Sequence, residues 1–120
     1  MHELGIAQSV LDAVEAEALL HPGAKPLKVA VRIGELAAID PDALRFSFDA
    51  LTRETDLEGL MLEIQVCPRR HRCDDCEMEF DVKDFVFECP QCSSTRNECI
   101  SGEELELAYL ELEEHEPSTA

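Results

Sequence analysis

The sequence predicts an α+β fold in which two helices cover one face of a three-stranded sheet and a small cysteine-rich module is inserted before the last strand. Three observations carry this. Two segments place apolar residues at helical spacing, three others alternate, and all six cysteines fall between Cys67 and Cys99.

The first helix is read from Leu4 to Leu20, where Leu4, Ala7, Val10, Leu11, Val14 and Ala18 recur on one face and Gln8, Asp12 and Glu15 on another. "HPGAKP" ends it with helix breakers. In "PLKVAVRIGEL" Leu27, Val29, Val31 and Ile33 alternate with Lys28 and Arg32, a half-buried strand. Asp40 stands as N-cap and Pro41 at the first position of a second helix, which Leu44, Phe48 and Leu51 make amphipathic. "LMLEIQV" alternates again through Leu60, Leu62, Ile64 and Val66. In "EELELAYLEL" the apolar face shifts from Leu105, Leu107 and Tyr109 to Leu110 and Leu112, which predicts a bulge or a strand buried on both faces. The tail "EEHEPSTA" reads as frayed. The division expected is one domain of residues 1–66 and 100–120, completed by the returning last strand, and a second of residues 67–99.

Asp and Glu number 27 against 10 Lys and Arg, a formal charge of −17. Such a surface repels nucleic acid, whose binding rests on cationic contacts to phosphate. It favours a partner with a basic face. No apolar stretch of about 18 residues is present to span a bilayer. The N-terminal segment carries Glu3, Asp12, Glu15 and Glu17 without a Lys or Arg, unlike a signal peptide. A cytoplasmic location is expected, and in a reducing compartment this many cysteines point to metal or redox chemistry before disulfides.

Cys73 with Cys76 and Cys89 with Cys92 form two C-x-x-C turns separated by 12 residues. Each turn aims two thiolates at one point, and two turns complete a tetrahedron around Zn²⁺. Four thiolates leave no open position, so the zinc-ribbon-like site would be structural. The residues between the pairs are expected to form a short hairpin, with Phe80, Val82, Phe85 and Phe87 as its apolar contacts. So small a segment needs the metal in order to fold. Four thiolates around a dication carry a double negative charge. The "PRRHR" segment sets Arg69, Arg70 and Arg72 nearby, either to favour thiolate or as a solvated basic patch. Cys67 and Cys99 lie at the module's two junctions, where a reversible disulfide or a second weak metal site is conceivable and packed thiols are the favoured reading; His71 is a spare ligand that two complete knuckles do not need. Iron in a rubredoxin-like centre uses the same thiolates, and nucleic-acid zinc ribbons share the spacing.

At the other end, the α-amine of Met1, the amide and imidazole nitrogens of His2 and the amide of Glu3 are close enough along the chain to form fused chelate rings. Amide nitrogens with imidazole suit metals that accept square-planar nitrogen fields, Ni²⁺ or Cu²⁺. Met1 is expected to be retained, because its removal generally requires a small second residue. His21 and His115 read as surface residues.

Taken together, "MHELGIAQSV", "VRIGEL", "DALRFSFDALT", "CDDCEMEF" with "CPQC", and "SGEELELAYLELE" resemble the HypA/HybF hydrogenase maturation proteins, in matching order from Met1 to about Glu113. The resemblance implies a nickel metallochaperone, not an enzyme, with a nickel-binding domain and a zinc domain. Carried over by position, Met1, His2 and Glu3 match the nickel motif, and Cys73, Cys76, Cys89 and Cys92 the zinc ligands. It implies the nickel-handling GTPase HypB as partner and the [NiFe]-hydrogenase large subunit as recipient; some relatives also serve urease maturation. An acidic residue implicated in some relatives falls at Asp40, which reads here as a helix cap. Where such ribbons commonly carry glycine after a knuckle, Glu77 and Ser93 stand. The competing readings are a nucleic-acid or protein-interaction zinc ribbon and a rubredoxin-like iron protein. The charge opposes the nucleic-acid reading.

Overall fold

Helix α1 (Glu3–Leu19) forms around Ile6, Ala7, Leu11 and Val14, all four buried. The structure, a computed structural model, describes residues 3–114. The apolar stripe is offset at its start: Leu4 is 55% exposed and Ile6 takes the buried place. Helix α2 (Pro41–Thr52) buries Leu44 and Phe48 and packs on α1. Asp40 caps it as expected, its Oδ1 accepting the N–H groups of Asp42 at 2.9 Å and Ala43 at 3.4 Å. At the far end Thr52 is buried and its hydroxyl donates to the Phe48 carbonyl at 2.9 Å.

Strand β1 (Ala24–Gly34) is the centre of a three-stranded sheet whose other members are β2 (Met61–Cys67) and β6 (Leu105–Glu114), in the order β2-β1-β6. The central position explains why Ala30 is buried along with Val29 and Val31, although alternation alone predicts a half-buried strand. On β6, Ala108, Tyr109 and Leu110 are half-buried in succession. Leu110 and Leu112 border a cavity with Ala13 and Glu17 of α1. The Tyr109 hydroxyl instead donates to Glu63 of β2 at 2.9 Å. Leu107, from the other set of the alternation, lines the same cavity, so the apolar side chains of β6 do not divide cleanly between two faces.

Three short strands build a second sheet, β3 (Arg70–Cys73), β4 (Glu79–Asp81) and β5 (Asn97–Ser101), antiparallel in the order β4-β3-β5. This corrects the expected hairpin. The hairpin is β3–β4, with His71 opposite Phe80, and the first C-x-x-C turn is its loop. Between the two knuckles only Glu79–Asp81 is strand. Phe80 and Val82 enter the small core as expected, whereas Phe85 is 83% exposed.

The chain divides into two compact units, Met1–Val31 with Ile39–Gln65 and Glu106–Ala120, and Arg32–Ala38 with Val66–Leu105. The second reaches beyond residues 67–99 for a physical reason. The N–H groups of Gly34 and Leu36 donate to the carbonyls of Glu104 and Gly102, both at 2.7 Å. The backbones approach so closely that a Cβ on Gly34 would lie 1.9 Å from the Gly102 oxygen, and Gly102 itself sits at φ 118.

Candidate metal centres

The two C-x-x-C turns are built alike. In the first, the Cys73 N–H donates to Met78 and the Glu77 N–H to Cys73, both at 2.9 Å; in the second, Cys89 donates to Ser94 at 2.9 Å and Ser93 to Cys89 at 2.8 Å. Glu77 and Ser93 follow the second cysteine of their turns, and both sit at φ 63. They occupy the left-handed position that glycine fills without strain. The turns bring the sulfurs of Cys73, Cys76, Cys89 and Cys92 within 4.8 Å of one another. The Cys73–Cys92 and Cys76–Cys89 pairs are 3.5 Å apart. Sulfurs about 2.3 Å from a tetrahedral dication lie about 3.8 Å apart, so the four thiols fit such an ion without rearrangement of the chain. Cys73 and Cys89 are buried with Phe80 and Val82, and Met78 packs against this cluster.

Thiols this close resist joint ionisation. Burial raises the Cys89 thiol, but the N–H groups of Cys92 and Gln91 and the Cys76 thiol outweigh it and lower Cys89 to about 7. The Ser94 N–H pulls Cys92 down, but the Cys73 thiol, burial, and the Cys76 and Cys89 thiols push it up to about 12. One thiolate forms readily and the last does not, which is the imbalance that a bound dication removes.

The "PRRHR" arginines do not sit on the sulfurs. Arg70 pairs with Asp81 at 2.9 Å and Arg72 with Glu98 across the sheet. The Arg69 guanidinium lies 4.9 Å over the Phe87 ring and donates to His71 Nε2 at 3.0 Å. His71 therefore carries its proton on Nδ1, which donates to Asn97 Oδ1 at 2.6 Å, and Asn97 Nδ2 donates to the Phe87 carbonyl at 2.7 Å. His71 is buried between Phe80 and Phe87 and serves as a fastening, not as a fifth ligand. A histidine directly opposite Phe80 in a short sheet could have been found only by knowing the register. Cys67 is half-buried at the end of β2. Cys99 is exposed, with its thiol donating to the Ser101 carbonyl at 3.2 Å, so it is not the packed thiol expected.

Met1 and His2 lie outside the described residues, as does His115. Glu3 opens α1, and its Oε1 accepts the Asp40 N–H at 3.2 Å. Its own backbone N–H and that of Asp40 hold the Glu3 carboxyl below the usual carboxylate range. The starts of α1 and α2 thus meet, with Asp40 serving as cap. His21 is exposed, 3.7 Å from Glu17.

The family model described as "Hydrogenase/urease nickel incorporation, metallochaperone, hypA" matches residues 1–112. The chain belongs to the HypA family. It is 42% identical to the hydrogenase maturation factor HypA of Geobacter metallireducens over 94% of this chain and all of that protein. With the HypA of Desulfitobacterium hafniense it shares 40% identity over 95% of this chain and all of that one. The solution structure of the Ni metallochaperone HypA from Helicobacter pylori is similar at a TM-score of 0.64 and 26% identity, covering 96% of this chain and 100% of that one. A second HypA solution structure has a TM-score of 0.69 at 26% identity, covering 93% of this chain and 96% of that one. Two helices with β-sheets and a four-cysteine cluster are thus a HypA fold with a zinc-ribbon-like module. As a HypA member the chain is a hydrogenase maturation factor of metallochaperone type. Among the described residues no helix is long and apolar enough to cross a membrane.

Proposed function

We propose that the chain binds Ni²⁺ at its N-terminus and delivers it during [NiFe]-hydrogenase maturation, while the four cysteines hold a structural zinc. The observation that carries this is the four-cysteine cluster, whose sulfur donors differ in kind from the nitrogen donors that the N-terminal sequence offers. Cys73, Cys76, Cys89 and Cys92 converge on one point with no other described metal-ligating group among them. A metal there has all four tetrahedral positions filled by protein, which suits retention and not exchange. Zinc, a d¹⁰ ion without redox chemistry, supplies the link that closes the two knuckles.

Cargo must therefore bind elsewhere. With Met1 as the first residue of the working chain, its amine, the His2 amide and imidazole nitrogens and the Glu3 amide chelate Ni²⁺. The positive potential at a helix start disfavours a bare cation, and deprotonated amides offset it. The Glu3 carboxylate is engaged with Asp40, which supports a role for its amide and not its side chain in the chelate. Protons compete for amine, imidazole and amides, so nickel affinity falls as pH drops. The chain is not an enzyme; GTP hydrolysis belongs to its partner, the nickel-handling GTPase HypB. The recipient is the hydrogenase large subunit, with urease maturation proteins as further clients. The thiolates suit the reducing cytoplasm.

The test is His2→Ala in cells that make a [NiFe]-hydrogenase. Loss of nickel in the hydrogenase with unchanged zinc in the chain is expected. Full nickel insertion by the variant would remove His2 from the mechanism.

A further inference from the structure

Between the two knuckles the chain makes a tight turn, closed by the Val86 N–H donating to the Lys83 carbonyl at 3.0 Å. Its central residues, Asp84 and Phe85, both sit in the left-handed region, at φ 53 and φ 60. Glycine and asparagine fill such a turn without strain; phenylalanine does not. Among the described non-glycine residues at positive φ, Phe85 is the one aromatic. It is also 83% exposed, and Val86 beside it 58%. Phe80 and Val82 lie a few residues away in the module's core, so an apolar interior is within reach and Phe85 turns from it. Backbone preference and burial both oppose a phenylalanine here. A residue that breaks two local rules with no local gain points to a role outside the chain.

The base of the turn is fixed while the tip is not covered. The Phe87 carbonyl accepts from Asn97, and its ring is flanked by the Arg69 guanidinium at 4.9 Å and the His71 ring at 5.9 Å. Phe85 is thus presented from a supported platform, which limits the ordering cost of binding. Charge indicates what it fits. Glu77, Glu79, Asp81, Asp84 and Glu88 surround it in sequence against the single cation Lys83. All five carboxylate residues are exposed, Asp81 paired with Arg70.

We infer that Phe85, with Val86, is an anchor that seats in an apolar pocket rimmed by Lys and Arg on a protein of the maturation machinery. This rests on the partners proposed above. A second copy of this chain would set one acidic segment against another, and an anionic lipid surface is repelled for the same reason. Aromatic anchors in cationic-rimmed pockets concentrate binding energy in one side chain while the rim charges govern encounter.

The experiment titrates the full, zinc-loaded chain with purified HypB and with the purified hydrogenase large-subunit precursor, for the unaltered protein, Phe85→Asn and Phe46→Ala. Phe46, 76% exposed on α2, is the control for a generally sticky aromatic. Phe85→Asn should weaken binding to one partner by about tenfold or more. It should also raise the thermal midpoint, because asparagine tolerates the left-handed turn. A merely structural Phe85 would lose stability on substitution. Rising salt should weaken the unaltered complex, and Phe46→Ala should leave both affinities unchanged. Equal affinities for Phe85→Asn and the unaltered chain overturn the anchor and leave the partners standing. If the unaltered chain binds neither protein, the partner assignment fails and the anchor with it. Should Phe85→Asn abolish self-association, or binding to phosphatidylglycerol vesicles, with partner affinities intact, the occupant inferred here is wrong.

Discussion

The carboxylate of Glu3 accepts the backbone N–H of Asp40 at 3.2 Å, joining the first turn of α1 to the cap of α2 across 37 residues of chain. The contact holds the side chain of the residue whose amide completes the proposed nickel chelate, and leaves its carboxylate off the metal. Removing it with Glu3→Ala should weaken nickel binding by roughly tenfold, as loss of an outer-sphere support does. Glu3→Gln keeps an acceptor oxygen and should retain most of the affinity. Isothermal titration with Ni²⁺ separates the two; equal losses in both would mean that the carboxylate charge, not the tether, matters.

Glu63 accepts from Gln65 and Tyr109 at 2.9 Å and pairs with Lys28 at 3.1 Å, and these partners, Gln65 foremost, lower its carboxyl from 4.5 to about 2. A carboxyl depressed in the folded state adds stability that is complete above its unfolded value and disappears as pH falls through the folded one. That contribution should vanish between about pH 4.5 and about pH 2. Glu63→Gln should flatten this limb of the thermal-midpoint profile and leave the neutral-pH fold intact. An unchanged acid limb in the variant would assign the loss to other groups.

Stripping the metal should unfold the second unit selectively. Its described core is small, centred on Phe80, Val82 and two of the cysteines themselves, and zinc binding in such modules contributes on the order of 10 kcal/mol of apparent folding free energy. After chelation, or in Cys89→Ser, amide signals of β3, β4 and β5 should collapse to unfolded shifts while those of α1 and α2 persist. The metal content before chelation should be one zinc per chain. A visible thiolate–iron absorption in the isolated protein would replace zinc with iron.

Glu77 and Ser93 sit at φ 63 in matching places after the two knuckles. Relief of left-handed strain by Glu77→Gly or Ser93→Gly should stabilise the zinc-loaded chain by about 0.5–1 kcal/mol each, the gain being reduced by glycine's greater unfolded-state freedom. Guanidinium melts of the loaded protein measure it, and a loss in both variants would show that the side chains contribute more than the backbone strain costs.

Long periodic segments were legible without coordinates. α1, β1, α2, β2 and β6 follow from apolar spacing over segments of 7 to 17 residues, and Asp40 with Pro41 marks the start of α2 from local chemistry alone. The cysteine spacing likewise identified which four sulfurs meet. The strands of the module were not legible, because β3 and β4 span only 4 and 3 residues and leave too few positions for alternation. The expected hairpin between the knuckles failed for that reason. His71, the Glu3–Asp40 tether and the Gly34–Gly102 crossing depend on register and on contacts between distant segments, which no local pattern encodes. Leu4 fell on the predicted apolar stripe yet is exposed, since a helix end has fewer neighbours to cover it.

Nickel titration of the chain carrying one extra residue before Met1 tests directly whether the exchangeable metal site uses the free N-terminus. The added residue moves the α-amine out of the fused rings and leaves every side chain in place. Stoichiometric nickel binding should be lost while zinc content and fold are unchanged. Undiminished nickel affinity in the extended chain, or displacement of zinc by nickel at the four cysteines, would contradict an N-terminal site.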